Sequence, residues 1–131
     1  MISMKELLGP HKLESCTPEQ SKNLHVLLLK LNELRKDWAK PLTVTSGLRT
    51  HDDMKRIYKS DVYPKKSKHL FGQAVDFKDD GSLMSWLKEN DSARMKKYGL
   101  WGENGTDGWC HLQIVPMASY KLKTDIRWFN P

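Results

Sequence analysis

The sequence predicts an α+β fold, with helices packed around a small, mainly antiparallel sheet. Two observations carry that expectation. A long leucine-striped segment fills residues 17–38, and several short runs with strand-like alternation follow it. Turn-forming stretches, Asp79-Asp80-Gly81 and the Gly/Asn/Asp-rich residues 102–108, separate the later runs.

Thr17-Pro18-Glu19-Gln20 is a capping box with proline at the first helical position, so a helix starts there. It is expected to run to about Trp38, with Leu24, Leu27, Leu28, Leu31 and Leu34 on one stripe and Pro41 as its stop. Residues 42–46 alternate, are β-branched and lead into Gly47, as a strand would. Residues 50–60 read as a short helix and 61–67 as a loop. Residues 74–77 form a second strand, with Ala74 and Asp76 on one face and Val75 and Phe77 on the other. Ser82 is expected to cap a helix to about Asn90, with helix resuming near residues 92–97. Leu100 and Trp101 open another strand before the turn-rich loop. The clearest strand is 109–115, which sends Cys110, Leu112 and Ile114 to the core and Trp109, His111 and Gln113 to the opposite face.

At 131 residues the chain fits one domain, 1–131, large enough to bury a core without disulfides. No apolar run reaches the roughly 18 residues of a membrane span, and residues 1–6 carry no signal-peptide core. Synthesis in the cytoplasm without Sec export is therefore expected. Cys16 and Cys110 lack metal-type spacing and are expected as reduced thiols. The net charge of +6 favours polyanionic partners. Nucleic acid, anionic cell-wall polymers and membrane surfaces are all candidates, but the cations are scattered and not interleaved with aromatics, so they read mostly as a solvated face and not as a dedicated nucleic-acid site.

The chemistry concentrates in Lys68-His69-Leu70-Phe71-Gly72-Gln73-Ala74-Val75-Asp76 and Trp109-Cys110-His111-Leu112-Gln113. Two imidazoles and one carboxylate leave a fourth position open, the ligand count of a catalytic zinc site rather than a closed structural one. His69, Asp76 and His111 are the expected Zn²⁺ ligands. Arg49, in Ser46-Gly47-Leu48-Arg49-Thr50 after a strand, is a fork-shaped donor suited to a carbonyl or carboxylate.

Ser67, His69, Gly72, Ala74 and Asp76 match the pattern Ser-x-His-x-x-Gly-x-Ala-x-Asp. With the upstream Ser-Gly-x-Arg and the downstream Trp-x-His, residues 44–116 resemble the zinc D-alanyl-D-alanine carboxypeptidases. Their relatives include phage L-alanyl-D-glutamate endolysins of the Hedgehog/DD-peptidase fold. The resemblance implies zinc on His69, Asp76 and His111, an oxyanion or substrate contact at Arg49, and Ser67 at the substrate edge. It implies a single zinc peptidase domain, acting as a monomer on the peptidoglycan stem peptide. A phage-type lysin is expected, reaching the cell wall after release or carried on the virion.

One position departs from the family. Its general base stands three residues before the last histidine, where this chain has Gly108. Strand alternation makes Asp107, four residues back, the preferred substitute, and Glu103 at a hairpin tip the second. The displaced acid also supports a rival reading, a phage structural or assembly protein that keeps the fold without turnover.

The remaining candidates have plainer readings. His11, His25 and His51 are expected as hydrogen-bonded or surface residues. Arg49 has Asp52 and Asp53 nearby as ordinary ion-pair partners. Trp109 shares a face with His111 and is a candidate cleft wall; Gln113 is either a substrate contact or a solvent-exposed amide. Cys110 and His111 are adjacent, so their side chains leave a strand on opposite faces and cannot form a nucleophile–base pair.

Overall fold

The computed structural model describes residues 1–117 and 125–131. Element order is α1 (Met4–Leu8), α2 (Pro18–Trp38), β1 (Val44–Ser46), α3 (His51–Tyr58), β2 (Ala74–Lys78), α4 (Ser82–Tyr98), β3 (Trp101–Glu103), β4 (Trp109–Gln113) and β5 (Trp128–Phe129). Short 3-10 turns lie at Leu13–Ser15 and Lys68–Phe71. The strands form one open sheet in the order β1-β2-β4-β3-β5, antiparallel except for the β3–β5 pair. The α+β class holds.

The capping box of α2 forms as its sequence requires: the Thr17 hydroxyl accepts from Gln20 N, and the Gln20 side chain accepts from Thr17 N. Leu24, Leu27, Leu31 and Leu34 are fully buried, with Leu28 partly so. Burying each leucine contributes about 1.5–3 kcal/mol of hydrophobic free energy before chain entropy is set against it. They pack with Leu83, Leu87 and Met95 of α4 against Val75, Phe77, Cys110 and Leu112, the core face of β2 and β4. The opposite face of the same two strands carries Asp76, His111 and Gln113. Period-two alternation therefore separates core from site, and a one-residue slip in either strand would exchange them.

Several boundaries differ from the sequence expectation. β1 is shorter, and β4 ends at Gln113, leaving Ile114 and Val115 in a bend. α4 is interrupted at Glu89–Ser92, where Asn90, Asp91 and Ser92 adopt left-handed backbone, as expected near residue 90. Its N-cap position is Gly81, not Ser82; the amides of Leu83 and Met84 donate to the Asp79 carboxylate. The sequence reading had no counterpart for α1, the 3-10 turns or β5. No helix among the described residues is long and apolar enough to cross a membrane.

Candidate metal centre

His69 sits on the 3-10 turn that precedes β2, and α2 holds that turn in place. The Gln20 and Asn23 side-chain amides donate to the carbonyls of Leu70 and Phe71. Gly72 ends the turn at φ 71°, and a Cβ there would stand 2.9 Å from the Gln20 carbonyl oxygen. Glycine meets both demands, the left-handed backbone and the close approach. Asp76 and His111 face each other directly in the β2–β4 register. A turn and two paired strands thus bring three groups together.

The convergence is close. His69 Nε2 lies 3.4 Å from Asp76 Oδ2, and His111 Nδ1 lies 2.8 Å from Asp76 Oδ1. All three residues are buried, and one ligand atom from each fits within 4.8 Å of the others. Ligands about 2.0–2.1 Å from zinc in tetrahedral geometry stand roughly 3.4 Å apart, so the set fits that ion. The remaining ring nitrogens are engaged elsewhere: His69 Nδ1 is 2.8 Å from the Gly47 carbonyl oxygen, and His111 Nε2 is 2.8 Å from Gln113 Oε1. Each acceptor fixes a ring N–H and leaves the opposite nitrogen to face Asp76, the usual support of a metal-binding histidine. Gly47 can serve His69 because it has no side chain; a Cβ there would stand 2.2 Å from the Leu7 carbonyl oxygen of α1.

Electrostatics agree with the geometry. Burial pushes the Asp76 carboxyl upward, but hydrogen bonds from His111 and His69 outweigh it, so Asp76 stays well below the usual carboxylate range. Burial lowers His69 and keeps it neutral, a form able to offer a lone pair. Burial also opposes charge on His111, but the Asp76 hydrogen bond overrides it and raises its pKa. Metal binding at His111 would displace that proton.

The triad borders a cavity of about 900 Å³. Arg49 reaches it from the segment after β1, donating from Nε to Ser46 Oγ at 2.8 Å and from an Nη to Asp76 Oδ2 at 3.3 Å. It points into the site and does not pair with Asp52 or Asp53. Ser67, Lys66 and Lys68 line one part of the cavity; Ile57, Tyr58, Trp109, Met117 and Phe129 supply an apolar part. Trp109 is 41% exposed, consistent with a wall open to solvent.

The two candidate acids occupy different places. Asp107 is exposed in the turn before β4 and is not among the residues lining the cavity. Glu103 lines it, at the end of β3. β3 pairs with β4 so that Trp101 faces Gln113 and Gly102 faces Leu112, which carries Glu103 to the level of His111, and its charge acts on that imidazole. Gln113 lines the cavity but is not a solvent-exposed amide: it is 3% exposed, and its amide is committed to His111 and to the Val115 carbonyl. His11, His25 and His51 bond to Asp53, the Ser21 carbonyl and the Tyr63 hydroxyl respectively. Cys110 is a free, fully buried thiol whose pKa burial raises, a state without nucleophilic character.

An α+β scaffold presenting a His/Asp/His triad in a cleft defines a metallopeptidase-type centre. The family model described as peptidase M15 matches residues 4–113, and the chain belongs to that family. Members are zinc-dependent peptidases of peptidoglycan-related substrates. No curated protein and no solved structure matches the chain.

Proposed function

We propose that the protein is a zinc peptidase that hydrolyses a peptide bond in the peptidoglycan stem peptide, acting as a phage-type lysin. The observation that carries the reading is the buried convergence of His69 Nε2 and His111 Nδ1 on Asp76, beside a cavity that also holds Arg49 and Glu103. A zinc ion held by the triad would supply an acidified water and a Lewis acid for the scissile carbonyl. The chain's own residues would do the rest. Glu103 takes the proton of the attacking water on its carboxylate and returns it to the leaving amine nitrogen. Arg49 donates to the carbonyl oxygen as negative charge develops there. Ser67, Lys66 and Lys68 face an anionic part of the peptide, while Trp109, Ile57 and Tyr58 cover its apolar part.

Glu103 replaces Asp107 as the preferred base because it lines the cavity beside His111, whereas Asp107 faces solvent. The same placement weighs against the reading without turnover, which draws on Gly108 standing where the family has its acid. The likeness of residues 44–116 to phage endolysins supports the lysin role, and the charge of +6 suits adhesion to an anionic wall.

Mass-spectrometric analysis of purified peptidoglycan tests the proposal, using zinc-loaded and chelator-treated protein. A chelator-sensitive new amine terminus is expected and names the bond cut. No product across several stem-peptide chemistries, with zinc confirmed bound, would favour the non-catalytic phage role.

A further inference from the structure

The two ring N–H groups of the triad are anchored differently. His69 is held by a backbone carbonyl, that of Gly47, whereas His111 is held by a side chain, Gln113. An amide can present either its oxygen or its nitrogen, and here a second bond decides the orientation. Gln113 Nε2 donates to the Val115 carbonyl oxygen at 2.8 Å, which turns Oε1 toward His111 Nε2. An amide oxygen only accepts, so His111 Nε2 must carry a proton, and Nδ1, 2.8 Å from Asp76 Oδ1, is left as the nitrogen that can bind a cation. Because Gln113 lies two residues beyond His111 on β4, both side chains leave the same face of the strand, and Ala74 opposite leaves room for the amide.

We propose that Gln113 is a positioning residue of the metal centre: it fixes the tautomer and ring plane of His111, so that Nδ1 is presented to a divalent cation alongside His69 Nε2 and Asp76. The assignment rests on the metal-centre reading, but it needs no particular substrate. Gln113 lines the same cavity as Arg49 and Glu103, but it acts through His111, whereas those two act on the reacting groups.

Zinc affinity of the full chain, measured by competition with a chromophoric chelator, tests it in wild type, Gln113→Met and Gln113→Glu. Methionine keeps the length of the side chain and removes the acceptor. Glutamate gives up the donor to Val115 but needs no such bond to orient it, since both of its oxygens accept, so it keeps an acceptor for His111 and adds charge. Gln113→Met is expected to bind zinc about 10–100-fold more weakly, the usual cost of losing an outer-shell partner, with apo-protein melting close to wild type. Gln113→Glu is expected to bind zinc at least as tightly as wild type. Wild-type affinity in Gln113→Met overturns the proposal, as does a Gln113→Glu variant as weak as the methionine one, since packing alone would then explain the position. Should Gln113→Met fail to fold, a tenfold or greater loss in Gln113→Glu still overturns it. Failure of the wild type to bind zinc would reject the metal-centre reading itself, and this proposal with it.

Discussion

Asp53 and Asp76 are both buried carboxylates held by a histidine and an arginine, yet their surroundings serve different ends. Asp53 accepts from His11 at 2.6 Å, from Arg56 at 3.0 Å and from the Thr50 amide at 2.9 Å. It completes the capping box of α3 and ties the segment after α1 to that helix. Its arginine, Arg56, lies largely in solvent, and only one imidazole approaches. Asp76 receives Arg49 and two imidazoles, and both rings have their far nitrogen fixed by a neutral acceptor. A histidine–carboxylate pair is by itself a clamp. It becomes a metal centre when a second imidazole converges on the carboxylate, with its tautomer set, beside a space a substrate can enter.

The largest test of that contrast is removal of a ring from each cluster. His69→Ala or His111→Ala should abolish stoichiometric zinc and lower peptidase activity by about 10³-fold or more, given the several kcal/mol such a centre supplies. His11→Ala should leave both intact. Zinc retained tightly by both triad variants would erase the distinction between the two aspartates.

Next in size is the acid beside the triad. Glu103→Gln should retain zinc and lose about 10²–10⁴-fold in turnover, the range of a general base. Asp107→Asn should stay within a few-fold of wild type; if it carries the larger loss, the hairpin tip turns inward during the reaction. Arg49→Lys keeps a charge but loses the fork, and turnover about 10²-fold or more lower is expected if the guanidinium faces the oxyanion.

The smallest effect belongs to the clamp. Asp53→Asn should cost about 1–3 kcal/mol in urea unfolding and leave zinc affinity unchanged. Its pH signature is specific. Burial pushes the Asp53 carboxyl upward, but bonds from the Thr50 amide and His11 prevail and bring it down to about 2. A folded value below the unfolded ~3.9 means that its contribution, on the order of 2 kcal/mol, is complete above about pH 5 and is lost as pH falls toward 2. Stability followed from pH 6 to 2 should therefore fall less steeply in the Asn variant than in wild type. Parallel curves would mean that Asp53 titrates alike in both states.

Much of this contrast was legible in the sequence, because it depends on local rules. The Thr17 box started α2, alternation separated Asp76 from Val75 and His111 from Cys110, and the motif spacing joined the triad. What was missed depends on tertiary approach. Gly47 read only as the residue the first strand leads into, but its role is to let the Leu7 carbonyl pass while its own carbonyl holds His69. The cap of α4 came from Asp79, beyond the hydroxyl beside the helix, because a carboxylate at the end of β2 can reach two amides at once. Asp107 was preferred by counting along one strand. Glu103 reaches the cavity from the neighbouring strand, and that placement is set by the register of β3 against β4. Gln113 was left between a substrate contact and an exposed amide, since alternation gives a side chain's face but not its depth.

Metal content by native mass spectrometry, after zinc loading and exhaustive buffer exchange, separates a metal centre at Asp76 from a clamp at Asp53. One zinc per wild-type chain and none in Asp76→Ala are expected, with the Asp53→Asn variant indistinguishable from wild type. A folded wild-type chain that keeps no zinc, or an Asp76→Ala variant that keeps it, would mean that the triad is not a metal centre.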